Sequence, residues 1–495
     1  MINKKYIQLK KMITLLLLIP IIGSLLIMPI QEDSLKSQLK MKIIAISTSL
    51  LNLFISIFLW LEFDSSTTQY QFVYEFDHLS FCHFNLGVDG ISLFFVLLTT
   101  FITPIAIISN YTNITKNLKY FLISFLILET LQLALFLVLD LLLFYIFFES
   151  VLPILFIVII VYGSGEFRYR SANLFFLYTL FGSLFMLLAI LQIYSYTGST
   201  DFQLISLFEI SLDSQKILWL SFFLAFAIKT PLWPFTGWLY RAHADSPLAG
   251  SIILAATILK FATYGYIRVL INFLPDASNY FGPLVQTIAI VTLIFASLAT
   301  IVQQDTKTLI AYSSIAHMSI VILGLFSNTI QGIEGAILLA LAHGFVSPAL
   351  FICVGGVIYD RTGTRVIKYI KGLASYMPIF SIIFFMFTLC NTGIPLSLNF
   401  LGEQLSLIGI WEINPIISAL GATGIVLSAC YSIFLYNRIS YGVYSPNMNS
   451  VSLLDISRRE FVILISLLIP TILLGIFPNV ILDSIHVSVS TLLYN

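Results

Sequence analysis

Uninterrupted apolar runs about 20 residues long recur along this chain, and their length limits the fold more than any other feature. ITLLLLIPIIGSLLIM and LFFLYTLFGSLFMLLAILQI are two of them. Within hydrocarbon every backbone N–H and C=O must find its partner inside the protein, which leaves helices and closed barrels as spanning structures. The runs here are long and continuous rather than short and alternating, so they predict helices. The fold class is therefore all-α, that of a polytopic membrane protein. Composition agrees, with 59% hydrophobic and 10% charged residues and a mean hydropathy of +0.99, far outside the soluble globular range. Lys plus Arg and Asp plus Glu balance at 24 each, so no basic excess points to nucleic acid. Cys353, Cys390 and Cys430 fall inside apolar runs and Cys82 in a loop, a spacing that suits neither a disulfide nor a zinc site.

Fourteen spans are expected, near 12–30, 43–61, 91–110, 119–138, 140–162, 172–196, 217–239, 248–272, 281–301, 307–327, 333–359, 374–412, 415–437 and 459–480. Between Asp64 and Asp89 the chain is less apolar, and alternating Tyr70, Phe72, Tyr74 and Phe76 predict a small extramembrane hairpin. The whole chain, 1–495, reads as one membrane domain. It has N-terminal helices over 12–110 with the hairpin at 64–89, five-helix units over 119–272 and 281–437, and a C-terminal helix and tail over 459–495. Lys4, Lys5, Lys10 and Lys11 precede the first apolar run as in a signal sequence, but no small-residue cleavage site follows, so that run counts as the first helix.

On this topology one side of the membrane collects sixteen Lys and Arg and the other five, with three left inside spans. The positive-inside rule then places both termini on the outer face, the N-terminal lysines being the one dissenting signal.

Function is sought where ionisable groups lie at membrane depth, since each costs roughly 2.5–3.5 kcal/mol at a helix centre. Glu149 lies nine residues past Asp140, about 13 Å into its span. Lys229 and Lys260 lie at the middle of successive spans, too deep to snorkel to an interface. Pro231 and Pro234 follow Lys229 and should break the seventh span; Asn391, Gly393 and Pro395 should break the twelfth just before Glu403. Broken helices in corresponding positions of two halves point to inverted five-helix repeats with an ion path at the midplane. His317 and His343 also lie near span centres, with Ser313, Ser314, Ser319 and Ser347 for polar company, and titrate closest to neutrality.

Each of these residues also has a structural reading. Glu149 and Lys229 could form an ion pair that locks two helices; Lys260 could be purely structural; Glu403 could cap a helix N-terminus; and the two histidines could be hydrogen-bonded interior residues. Glu129, beside Gln132 in the fourth span, is a weaker transport candidate, while Asp89 and Asp140 read as membrane-boundary residues.

The segments DLLLFYIFFESVLPILFI, KTPLWPFTGWLYRAHADSP, AYSSIAHMS, LAHGFVSPALFICVGGVIYDR and NFLGE resemble the antiporter-like proton-pumping subunits of complex I, the respiratory NADH:ubiquinone oxidoreductase. The resemblance runs from about Gly87 to the C-terminus. It implies fourteen helices, inverted five-helix repeats, and proton transfer driven by quinone reduction elsewhere in the complex. It also implies other membrane-arm subunits and lipids as partners, with no nucleic acid and no soluble substrate bound by this chain. No cofactor is expected in this chain; NADH, FMN, Fe-S clusters and ubiquinone would belong to other subunits. By position, Glu149 would pair with Lys229, Lys260 would be the central lysine, His317 and His343 relay residues, and Glu403 the terminal acid. The chain departs from the family pattern at Thr236, Tyr240 and Arg241, which leaves open the proton-access geometry near His243 and Asp245. The resemblance favours the mitochondrial inner membrane over a bacterial plasma membrane. A stand-alone cation/proton antiporter and a structural membrane scaffold are the competing functions; metalloprotease and paired-aspartate signatures are absent.

Overall fold

The computed structural model describes residues 2–75, 84–443 and 453–494. Phe76, Cys82 and the side chains of Lys4, Lys5, Lys10 and Lys11 lie outside that description. The rest is almost wholly helical, and among the described residues eleven helices are long and apolar enough to cross a membrane. The chain divides into two compact units, one of Met1–Lys229, Lys260–Tyr280 and Asp483–Asn495, the other of Thr230–Leu259 and Phe281–Leu482.

The first unit begins with α1 (Ile2–Ile27) and α2 (Leu35–Leu61). The expected hairpin follows as β1 (Gln71–Tyr74) paired antiparallel with β2 (Leu86–Val88). Next come α3 (Gly90–Ser109), α4 (Leu118–Leu137), α5 (Leu141–Tyr162) and α6 (Arg168–Thr197). A single turn of helix, α7 (Phe202–Ser206), leads into α8 (Leu212–Lys229). The aspartates read as boundary residues are N-caps. Asp89 accepts from the Ser92 amide, and Asp140 accepts from Leu142 and Leu143, answering donors that a helix start leaves unpaired.

In the second unit the short α9 (Leu239–Asp245) precedes α10 (Leu248–Ile271). The first twelve residues of α10, to Leu259, belong to this unit and those from Lys260 to the first. After α11 (Pro275–Val302) come α12 (Thr306–Leu325) and α13 (Ile330–Thr362). Then follow α14 (Pro378–Asn391), α15 (Leu398–Ile413), α16 (Pro415–Ser440) and α17 (Arg458–Ile476). The sequence reading ended its last span at 480, but a further helix, α18 (Asn479–Tyr494), occupies the tail.

Both expected interruptions are present. At the first, α8 stops at Lys229 and the chain resumes through a 3-10 turn at Phe235–Trp238, because Pro231 and Pro234 supply no amide hydrogen to continue the ladder. At the second, the span expected over 374–412 is two helices. Gly393 takes a left-handed φ of 69° after α14, and Ser397 starts α15 by accepting from the Phe400 amide.

Small residues set how closely the helices of the second unit approach, as in membrane bundles generally. On α15, a Cβ added at Gly402 would lie 2.6 Å from the backbone nitrogen of Leu339 on α13. Gly335 of α13 returns the fit, since a Cβ there would come within 2.5 Å of the Ser406 nitrogen. This contact seats the residue after Gly402, Glu403, deep in the unit.

Candidate functional site

Each unit carries its own set of buried acid–base groups. In the first, α8 ends at Lys229, whose side chain is buried and whose Nζ has no hydrogen-bond partner among the described residues. Its ammonium lies 4.3 Å from the ring centroid of Phe148 and 5.9 Å from that of Phe261, so aromatic faces rather than lone pairs surround it. Glu149 follows Phe148 on α5, within electrostatic range of Lys229, with Ser183 of α6 in side-chain hydrogen-bonding reach. Its Oε1 is buried without a hydrogen-bond partner among the described residues. The pair is thus coupled through space, and neither charge is tied down by hydrogen bonds to the other. Lys260 of α10 is fully buried, and it follows a π-helical stretch at Leu254–Ile258. Such bulges shift side-chain direction and cluster at functional sites.

In the second unit, the Nδ1 of His317 lies 3.1 Å from Oε1 of Glu403, each side chain 2% exposed. The other carboxylate oxygen faces Gly393 at the helix break, where a Cβ would stand 2.7 Å from Oε2. Glycine there serves twice, accepting the positive φ and leaving room for the carboxylate. His343 of α13 is buried, its ring 6.0 Å from that of His317. Ser314 and Ser347 meet at 3.0 Å and add a hydroxyl bridge between α12 and α13, the polar company the sequence suggested.

Tyr240 stacks on Tyr312 with centroids 4.9 Å apart, and Arg241 Nε donates to the Tyr240 hydroxyl at 3.1 Å. Thr236 is buried in the turn after the first break, and His243 stacks on Phe351 at 4.7 Å. Glu129, the weaker candidate, accepts from Asn52 at 2.7 Å and is fully buried.

Sequence reasoning missed three features. Lys307, at the start of the span expected over 307–327, is buried and donates to the Ser246 carbonyl at 2.9 Å and to Ser251 Oγ at 3.1 Å. The Asp-Thr-Lys order was the available signal: Asp305 caps α12, which puts Lys307 in its first turn. Tyr431 of α16 is fully buried, its hydroxyl without a hydrogen-bond partner among the described residues and within electrostatic range of Glu403. In the first unit, Arg268 forms a buried ion pair with Asp89, and Tyr70 and Tyr264 lie with ring centroids 5.5 and 5.2 Å from its guanidinium. Among the described residues no cluster of three His, Cys, Asp or Glu could hold a metal ion.

Paired acid and base groups beside interrupted membrane helices define a class, that of ion-coupled membrane proteins with broken helices. Residues 138–428 match the model of the NADH:quinone oxidoreductase/Mrp antiporter transmembrane family, and the chain belongs to that family. Among curated relatives, the NADH-ubiquinone oxidoreductase chain 4 of Mycosarcoma maydis is 61% identical over 484 residues, covering 98% of this chain and all of that one. Its namesake from Marchantia polymorpha is 46% identical over 479 residues, 96% of each chain. Among solved structures, a chain of respiratory complex I from Thermus thermophilus with bound NADH superposes with a TM-score of 0.87 at 26% identity, over 97% of this chain and 99% of that one.

Proposed function

We propose that this chain is a proton-translocating membrane-arm subunit of respiratory NADH:ubiquinone oxidoreductase, working beside partner subunits that carry the cofactors. It is a multi-pass protein of the mitochondrial inner membrane, and the Lys and Arg distribution supports termini on the intermembrane-space side. The observation that carries the reading is Lys229. It is a buried ammonium at a helix break, coupled to Glu149 and held by no hydrogen bond from the described residues. A structural staple would close that gap, because a buried ion pair stabilises only with good geometry and full hydrogen bonding. A group that must gain and lose a proton is better served by a loose partner, whose displacement changes its proton affinity.

In the proposed order, Glu149 biases Lys229, which exchanges with Lys260 in the first unit, and His343 and His317 serve Glu403 in the second. The segments 119–272 and 281–437 are read as inverted five-helix repeats, supported by the breaks beside Lys229 and Glu403. Moving one proton against about 200 mV costs about 4.6 kcal/mol. One pair 7 Å apart at an effective dielectric of about 20 supplies about 2.4 kcal/mol, so several coupled sites are needed. The test is proton pumping per NADH by the assembled complex in sealed vesicles. Neutralising Lys229 or Glu149 should lower it, and an unchanged ratio in either variant would remove the role.

A further inference from the structure

At one end of α16 a cavity of about 580 Å³ opens among residues of the second unit. Lys368 and Lys371, from the connection after α13, and Arg438, from the last turn of α16, line it together with Gln304, Asn437 and Tyr441. Among the described residues that line it, three are cations and none is an acid. Cations gathered around one small cavity repel each other unless an anion lies among them. Asp305, next to Gln304, is already engaged, capping α12 through the Lys307 amide at 2.7 Å and facing Arg365 at 3.5 Å. Arg438 supplies a second, independent observation. Its guanidinium lies 4.1 Å from the Phe434 ring centroid, and its Nε and Nη2 meet no acceptor among the described residues. Arginine keeps its charge at any working pH, so the cavity wall stays cationic there.

The surface beside the cavity says how the phosphate arrives. Val426, Ile433 and Phe434 of α16 are 65%, 50% and 45% exposed and lie on one face of the helix, whose last turns bring Asn437 and Arg438 to the cavity. From Val426 to Asn437 the rise is about 16 Å, close to half of a hydrocarbon core about 30 Å thick. A free phosphate has no use for an apolar stripe one leaflet deep, whereas an acyl chain does.

We propose that this cavity binds the phosphate headgroup of an anionic phospholipid whose acyl chains lie along the Val426–Phe434 face of α16. Basic pockets between membrane helices bind such headgroups, and each nearby cation contributes about fivefold in affinity. The site is independent of the proton-transfer reading, because none of its residues belongs to the acid–base sets.

The test uses the assembled complex fused with phosphatidylcholine vesicles that carry a photoactivatable phosphatidylglycerol, with crosslinks mapped by mass spectrometry. Labelling should concentrate on α16 between Val426 and Phe434 and fall about fivefold for each of Lys368→Gln, Lys371→Gln and Arg438→Gln. A Lys368→Arg/Lys371→Arg variant should keep it. Unlabelled phosphatidylglycerol should compete and phosphatidylcholine should not, a comparison that needs no variant to assemble. Equal competition by the two lipids, unchanged labelling after the three neutralisations, or displacement by inorganic phosphate alone would each overturn the proposal.

Discussion

Lysine and arginine carry the same charge, but at position 229 they differ in the property that matters, since only lysine releases its proton in a usable range. Lys229→Arg should therefore preserve the charge opposite Glu149 and the assembly of the complex while lowering protons pumped per electron, measured in sealed vesicles. A staple would survive the exchange. Glu403→Gln keeps an acceptor near His317 but removes a group that can take up and release a proton, which should lower protons pumped per NADH while the complex still assembles. At this scale the sequence was legible wherever a charge interrupts an apolar run, as at Glu149, Lys229, Lys260 and Glu403. Tyr431 was not, because one tyrosine among 24 in so apolar a chain carries no mark of what it faces. The approach of Gly393 to Glu403 depends on a turn angle rather than on residue type.

Between elements, shape decides more than charge. The α13–α15 contact at Gly402 leaves no room for a side chain, so Gly402→Val should destabilise the complex by about 1–3 kcal/mol or more through overpacking. Thermal unfolding of the detergent-extracted complex checks this, and the same variant should displace Glu403 from His317 and reduce pumping. Removing one partner of the buried Arg268–Asp89 pair should cost about 3–5 kcal/mol, whereas a combined Arg268→Met/Asp89→Asn variant should recover part of that loss. A double-mutant cycle on unfolding midpoints measures the coupling. The interruptions themselves were legible, since proline chemistry is local and Pro231 and Pro234 are visible in any reading. The π-helical stretches before Lys260 and around Arg268 were not, because they are a change of hydrogen-bond register that leaves composition untouched. Nor could Asp89 and Arg268 be matched from sequence, being far apart along the chain.

For the molecule as a whole, the surplus of Lys and Arg on one side predicts which reagents reach which loops. Lys40→Cys and Lys116→Cys should react with a membrane-impermeant thiol reagent from the matrix side, and Lys216→Cys only from the intermembrane space; the reverse pattern would invert the proposed orientation. The class of fold was plain from run length alone. The tail was not, because Asp483, Ser484, His486 and Ser488 dilute its hydropathy enough to hide α18 from a search for spans. Those same residues return to the first unit, where Ser484 and Ser488 crowd Gly90 at the start of α3. A ribosome threading this protein into the membrane must therefore make the residues from Asp483 onward before the unit it began with can close. A stop codon placed just before Asp483 should leave nascent chains unfinished at their beginning and exposed to quality-control proteases.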